Sequence, residues 1–364
     1  MTHLTDLDFF AGLAITGTVL GVDATSDLAT VQEVLGHDDF YDQPWEDGST
    51  WEYANTDYGL VDFGWSRERG SDQWICSYAG TQNHRLTKAN RRRARRIAGL
   101  RLRNRYGRFR QVLNIEDLRA VVEGHGFSLD SAPQWPGADF SLYWVPGVST
   151  TMNVAMSDPA YGPPGTVAKM LGGPHSEQHL NHKARVTFDG EKKQFNAYGK
   201  ELLKLTDGQR AEWLDEHQPA AGPDRDLWWS FLRSPHTYRD TEQPPWTELT
   251  YALDRDAAVR GIDTPDRAAL KLLYWTGNAE LPERPTVDEA ITQWLATTPT
   301  LEEGQRLAAA TKLTPDELRL SRRLRYQAHE LREHLPAITD SDLADGLKAR
   351  IELGPTLLRY PYFG

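Results

Sequence analysis

The sequence predicts an α+β fold: an N-terminal antiparallel sheet with packed helices, followed by an all-α C-terminal region of short helices. Three observations carry this. Alternating apolar and polar runs bounded by turn residues recur through the first half. Those runs are interleaved with short stretches of helical period. Beyond about residue 206 strand signals fade and helix-start signatures follow one another at short spacing.

Ser26 to Leu35 places Leu28, Val31, Val34 and Leu35 on one helical face, with Ser26 as cap and Gly36 at the end. Thr50–Ala54 and Leu60–Trp65 alternate as half-buried strands do, and Gln73–Tyr78 reads as a third strand. The apolar stretch from Phe9 to Val22 follows Asp6 and Asp8 rather than Lys or Arg, so it reads as buried structure and not as a signal peptide. Lys88–Leu102 and Ile115–Glu123 read as helices, and Phe140–Val145 with Thr151–Met156 as a hairpin turning at Pro146 and Gly147. Pro159 to Gly173 is rich in Pro and Gly and predicts a linker. Arg185–Phe188 and Gln194–Tyr198 flank Asp189-Gly190 and predict a further hairpin. Thr286/Glu289, Thr300/Glu303 and Thr314/Glu317 have capping-box spacing, and Pro315 to Leu335 reads as the longest helix. The expected divisions are a small α+β module at 1–86, a basic segment with hairpins at 87–205, and a helical domain at 206–364.

Charge is distributed unevenly. Residues 1 to 80 hold fifteen Asp and Glu against Arg67 and Arg69, whereas Thr81 to Ile115 holds twelve Lys and Arg and no acid. The net charge of −11 argues against wholesale attraction to nucleic acid or anionic lipid. No apolar run approaches the ~20 residues of a spanning helix, and the single cysteine, Cys76, excludes an internal disulfide. A cytoplasmic location is expected, with no bound cofactor and no membrane partner.

Three candidate sites follow. The acidic stretch from Asp38 to Asp57 mixes Asp38, Asp39, Asp42, Glu46 and Asp47 with Tyr41, Trp45 and Trp51. Charges beside aromatic anchors suit a basic protein partner. Second, Arg91, Arg92, Arg93, Arg95, Arg96, Arg101, Arg103 and Arg105, within a basic run from Arg85 to Arg110, could grip phosphates, dock an acidic protein or neutralise the N-terminal acids internally. Third, His175, His179 and His182 fall at i, i+4 and i+7, so a helix would bring three imidazoles toward one zinc ion; solvent-facing histidines in a polar loop are the alternative. Two motifs are weaker. Gly162–Thr166 opens like a phosphate loop but lacks the Gly-Lys-Ser/Thr ending, and Arg319, Arg322, Arg323 and Arg325 would suit a recognition helix whose turn lacks glycine. No catalytic elbow or dinucleotide fingerprint is present.

Leu20-Gly21, the helix ending in Leu35-Gly36, Trp51-Glu-Tyr, Gly59-Leu-Val-Asp-Phe and Gln82-Asn-His84-Arg85-Leu86 together resemble small α+β modules of bacterial polymorphic-toxin immunity proteins. The resemblance is confined to the N-terminal module. It implies a protein-binding scaffold without a catalytic site. The function expected is therefore a non-enzymatic, immunity-like or regulatory interaction protein, with a nucleic-acid-associated protein and a metal-dependent enzyme as alternatives.

Overall fold

A computed structural model describes residues 4–36, 39–42, 50–87, 96–135, 137–148, 150–173, 178–234, 244–278, 281, 283–311 and 313–358. The fold is α+β, as expected. One antiparallel sheet has the strand order β1-β2-β3-β4-β8-β7-β6-β5. Its strands are β1 (Asp39–Asp42), β2 (Trp51–Asp57), β3 (Val61–Glu68), β4 (Ile75–Thr81), β5 (Asp130–Ser131), β6 (Phe140–Trp144), β7 (Thr151–Ala155) and β8 (Val167–Gly172). The chain divides into two compact units. The first holds Met1–His179, Glu302–Glu330 and Glu352–Gly364; the second holds Leu180–Leu301 and Leu331–Ile351. The sheet joins strands from both sides of residue 87, and the first unit takes segments from the far end of the chain.

The sheet of the first unit is two copies of one pattern. A helix capped by Asp27 (Leu28–Leu35) precedes the β1–β4 meander; a helix capped by Asn114 (Ile115–Gly124) precedes the β5–β8 meander. In the first copy the pairing of the third and fourth strands slips between Gly64 and Trp65, with Gly64 opposite Tyr78 and Trp65 opposite Cys76. In the second it slips between Asn153 and Val154, with Asn153 opposite Lys169 and Val154 opposite Val167. A bulge re-aims every later side chain, so the same slip in both copies keeps the same residues inward. Inward Phe63, Trp65, Cys76 and Ala79 thus match Met152, Val154, Val167 and Met170, all buried. The two copies join through β4 and β8, Gly80 lying opposite Leu171.

The inward face packs on the helix Asp6–Thr16, which carries Phe9, Phe10, Leu13 and Ile15, and on Tyr106 and Phe109. A capping box of Thr5 and Asp8 starts this helix, and Gly17 ends it in the left-handed region. A Cβ on Gly17 would lie 3.1 Å from the Tyr326 hydroxyl and 3.3 Å from an Arg322 amine, so the helix Pro315–Glu330 reaches this corner.

That helix overturns the recognition-helix reading. Arg322 and Arg325 are 2% and 3% exposed and so cannot meet a groove. Arg322 donates to the Gly147 carbonyl in the β6–β7 turn. The Arg325 guanidinium meets buried Asp23 through Nε and Nη2, both at 3.0 Å. It also donates to the carbonyls of Gly21 and Leu357. The two non-glycine residues with positive φ among those described, Leu20 at 52° and Leu358 at 59°, stand next to these two carbonyls. Backbone in that region costs of order 1–3 kcal/mol and persists only where its surroundings over-determine it. One side chain holds both strained turns.

Three further expectations change. Val167–Gly172 is not linker but β8, bonded on both sides; Val167, Ala168 and Met170 are buried, while the Pro- and Gly-rich residues form only the preceding turn. The predicted hairpin at 185–198 is two helices, Gln178–Phe188 and Lys192–Leu202, separated by a turn at Asp189–Glu191. Ala184, Phe188, Phe195 and Leu202 recur at helical spacing and pack with Phe231 and Trp228 in the second unit's core. The first-copy helix is capped by Asp27 rather than Ser26, because the Asp27 side chain accepts the Thr30 N–H.

The second unit is helical, as expected of the chain beyond residue 206. Its helices Pro223–Leu232, Pro244–Val259 and Pro265–Thr276 meet around buried Arg233. Arg233 bonds both oxygens of Asp263 and also meets Asp254; Lys271 bridges the same two carboxylates and the Trp275 indole donates to Asp254. Burial would raise the Asp263 carboxyl, but Arg233 and Lys271 outweigh it and hold its pKa at about 2.

Removing one member of a buried ion pair leaves the other uncompensated, at about 3–5 kcal/mol. Arg325→Ala should lower the stability of the first unit by that amount in urea unfolding followed by hydrogen exchange of the β3 amides, whereas exposed Arg108→Ala should leave it nearly unchanged.

Candidate functional site

The candidate site is the outward face of the first meander. Side chains alternate along a strand, so Trp51, Tyr53, Asn55 and Asp57 of β2 share one face and Ala54 and Thr56 point into the core. Here the usual distribution is reversed: small residues face inward and aromatics outward. Phe63 and Trp65 of the neighbouring strand fill the core instead, their rings stacked 6.0 Å apart. The register Tyr53–Ser66–Ile75 places Tyr53 and Ile75 on one face, to either side of Ser66. With Trp51 they form an exposed row: Trp51, Tyr53 and Ile75 are 42%, 51% and 46% exposed, among the most open large apolar side chains of the described residues. Trp74 lies on the opposite face against the core, with the Arg67 guanidinium 4.4 Å from its ring centre, and Arg67 also pairs with Glu52, its cross-strand partner on that face.

Beyond the aromatic row lies a polar floor. Gly64 stands between Asn55 and Tyr78 in register, and a Cβ there would lie 2.1 Å from the Tyr78 ring. Glycine therefore lets the ring cross the strand so that its hydroxyl donates to Asn55 Oδ1 at 3.0 Å. Next along β3, Asp62 is buried beside Gln82, whose amide donates to Oδ2 at 2.8 Å. Arg85 bonds Asp57 at 2.9 Å and the Gly59 carbonyl, and stands 3.8 Å from Asp62. Burial pushes the Asp62 carboxyl up to about 6, against the pull of Gln82 and Arg85. Burial likewise raises the Tyr78 hydroxyl to about 12. The floor can thus change charge near neutral pH while the aromatic row beside it does not.

The predicted acidic loop falls partly on this face. The span from Asp38 to Asp57 is not a loop throughout: Asp39, Tyr41 and Asp42 belong to β1, and Trp51 begins β2. β1 pairs with β2 because their backbones align in register, Asp39 opposite Asp57. Asp38, Trp45, Glu46 and Asp47 lie outside the described residues. Sequence reasoning missed Tyr53, Asn55, Asp62, Ile75 and Tyr78. The signal that marks them is the alternation itself, read with the aromatic parity facing out.

The basic run is divided in its roles. Its ends serve the N-terminal acids: Arg85 meets Asp57 and Asp62, and Arg110 binds both oxygens of buried Asp6. Arg101 donates to the Glu33 and Val34 carbonyls that end the Leu28–Leu35 helix, and Arg103 to the Gly99 carbonyl. Burial lowers the pKa of Arg105. Arg96 and Arg108 are exposed, while Arg91, Arg92, Arg93 and Arg95 lie outside the described residues.

The histidines do not share one surrounding. His179 is buried with its ring 4.9 Å from that of Trp144, whereas His182 is half-buried, with burial and Arg185 lowering its pKa. His175 lies outside the described residues. Among those described, no group of three His, Cys, Asp or Glu is placed to hold a metal ion. No described helix is long and apolar enough to cross a membrane. Comparison with protein-family models, curated proteins and solved structures finds no match for the chain.

A carboxyl that is more protonated in the folded than in the unfolded chain adds stability at low pH, and that stability is lost as pH rises through the folded value. For Asp62 the window runs from an unfolded value near ~4 to about 6. Asp62→Asn should remove that slope. The variant should gain on the order of 1–3 kcal/mol over wild type between pH 4 and pH 7 in urea unfolding.

Proposed function

We propose that this chain is a non-enzymatic protein-binding protein, of immunity-like or regulatory type, whose partner docks on the outward face of the first meander. The observation that supports this is the outward pair Tyr53 on β2 and Ile75 on β4, about half exposed beside Trp51, while the inward positions Ala54 and Thr56 of β2 are small. Burying an aromatic side chain against a partner contributes strongly to affinity, and Trp and Tyr are enriched at such anchor points. The polarity around the row suits a basic partner. From residue 39 to residue 80 the chain has nine Asp and Glu against Arg67 and Arg69. Asp57, Glu68 and Asp72 lie outside the core on the strands and turn that frame the row. Complementary charge steers encounter, and the buried apolar contact sets the lifetime of the complex.

The measurement is partner capture by the full chain, compared with Tyr53→Ala/Ile75→Ala and with Glu68→Lys/Asp72→Lys, two exposed acids. A basic protein retained by wild type should bind the aromatic double variant at least about tenfold more weakly. The charge variant should bind more slowly, with a flattened salt dependence. Equal retention by wild type and both variants would contradict the reading.

A further inference from the structure

The internal repeat shows what an occupied outward face looks like. Counting back from the shared bulge, Asp62 opposite Gly80 in the first copy matches Thr151 opposite Leu171 in the second. Across the next pairing, Asp57 opposite Asp62 matches Trp144 opposite Thr151. Four residues back along each strand, Tyr53 matches Phe140. The two aromatics hold the same place on the same face of equivalent strands.

Their surroundings differ. Phe140 is covered by the chain itself: the connection between β7 and β8 forms a turn at Pro159–Tyr161, and the Tyr161 ring meets Phe140 edge-on at 4.7 Å. His84 stands on the far side of Tyr161 at 5.5 Å. Trp144 is covered by His179. In the first copy the connection between β3 and β4 spans only 69–74, and Tyr53 remains 51% exposed. One fold thus presents the same aromatic position twice, once closed by a ring on a tight turn and once open.

We infer that the partner of the open face seats an aromatic ring on Tyr53, carried on a tight turn and flanked by Lys or Arg, as Tyr161 is seated on Phe140. The ring follows from the matched positions of Tyr53 and Phe140. The turn follows from the short, capped segment that carries Tyr161, in which Asp158 accepts the Ala160 N–H. The basic flank follows from charge: exposed Glu68 lies opposite Trp51 on the outward face, and exposed Asp72 follows in the next turn. Edge-to-face aromatic pairs contribute beyond their buried area, and a cation beside them would meet Glu68 and Asp72. This inference rests on the protein-binding reading above and specifies the chemistry of the partner.

The test pans a phage-displayed library of random dodecapeptides on the purified full chain. Selected peptides are then measured by fluorescence polarisation against wild type, Tyr53→Ala and Ile75→Ala. Tyr53 is largely exposed, so its truncation opens no cavity; an unchanged thermal midpoint checks this. The expected peptides carry an aromatic residue beside a Gly, Pro or Asp turn signal together with Lys or Arg, and bind Tyr53→Ala at least about tenfold more weakly. Peptides that depend on Tyr53 but carry no aromatic ring would overturn this inference and leave the protein-binding reading standing. Peptides that bind both variants as tightly as wild type would overturn both.

Discussion

Arg325 and Asp23 are 302 residues apart and meet in the core of the first unit. A buried guanidinium is tolerable only when its donors are satisfied, and here carboxylate, hydroxyl and two backbone carbonyls share that task. The carbonyls come from the turn after the first helix and from the segment after residue 356. Both adjoin leucines in left-handed backbone. The fold of the first half therefore depends on a helix encoded near the end of the chain. Arg322 on that helix ties in the β6–β7 turn, and the Arg319 guanidinium stands over the Phe127 ring at 5.2 Å. The same element touches segments belonging to both copies of the meander.

The repeated pattern gives one sheet two unlike outward faces. The inward positions of both copies are constrained alike, since Phe63, Trp65 and their counterparts share one core. The outward positions are free to diverge. In the second copy a longer connection and His179 close the aromatic surface; in the first copy the aromatics stay open and acids surround them. That difference, more than the acidic total, makes the first copy the proposed docking face.

Much of the first meander is legible in the sequence. Alternation marks β2 and β3, and Thr286 caps a helix where its spacing suggests. β8 is not, because Pro163, Pro164 and four nearby glycines outweigh a short run of Val167 to Met170 whose meaning comes from pairing on both sides. The helices at 178–202 read as strands because Val186, Thr187 and Phe188 have strand propensity; the packing of Phe195 against Phe231 overrides it. The duplication leaves little trace in residue identity, since Tyr53 faces Phe140 in the comparison and Gly64 faces Asn153. It becomes visible only through register. The charge boundary at residue 81 is plain in the sequence, yet its two ends are ion pairs within the fold, and the site lies on the acidic side among residues chosen by strand parity.

Native-state hydrogen exchange in low urea tests directly whether the helix Pro315–Glu330 and the double meander open as one cooperative structure. Amides of this helix and of β3, β4, β7 and β8 should open with one free energy and one denaturant dependence, distinct from those of the helix Pro265–Thr276. Exchange of the helix Pro315–Glu330 together with Pro265–Thr276, while the strands remain protected, would contradict it.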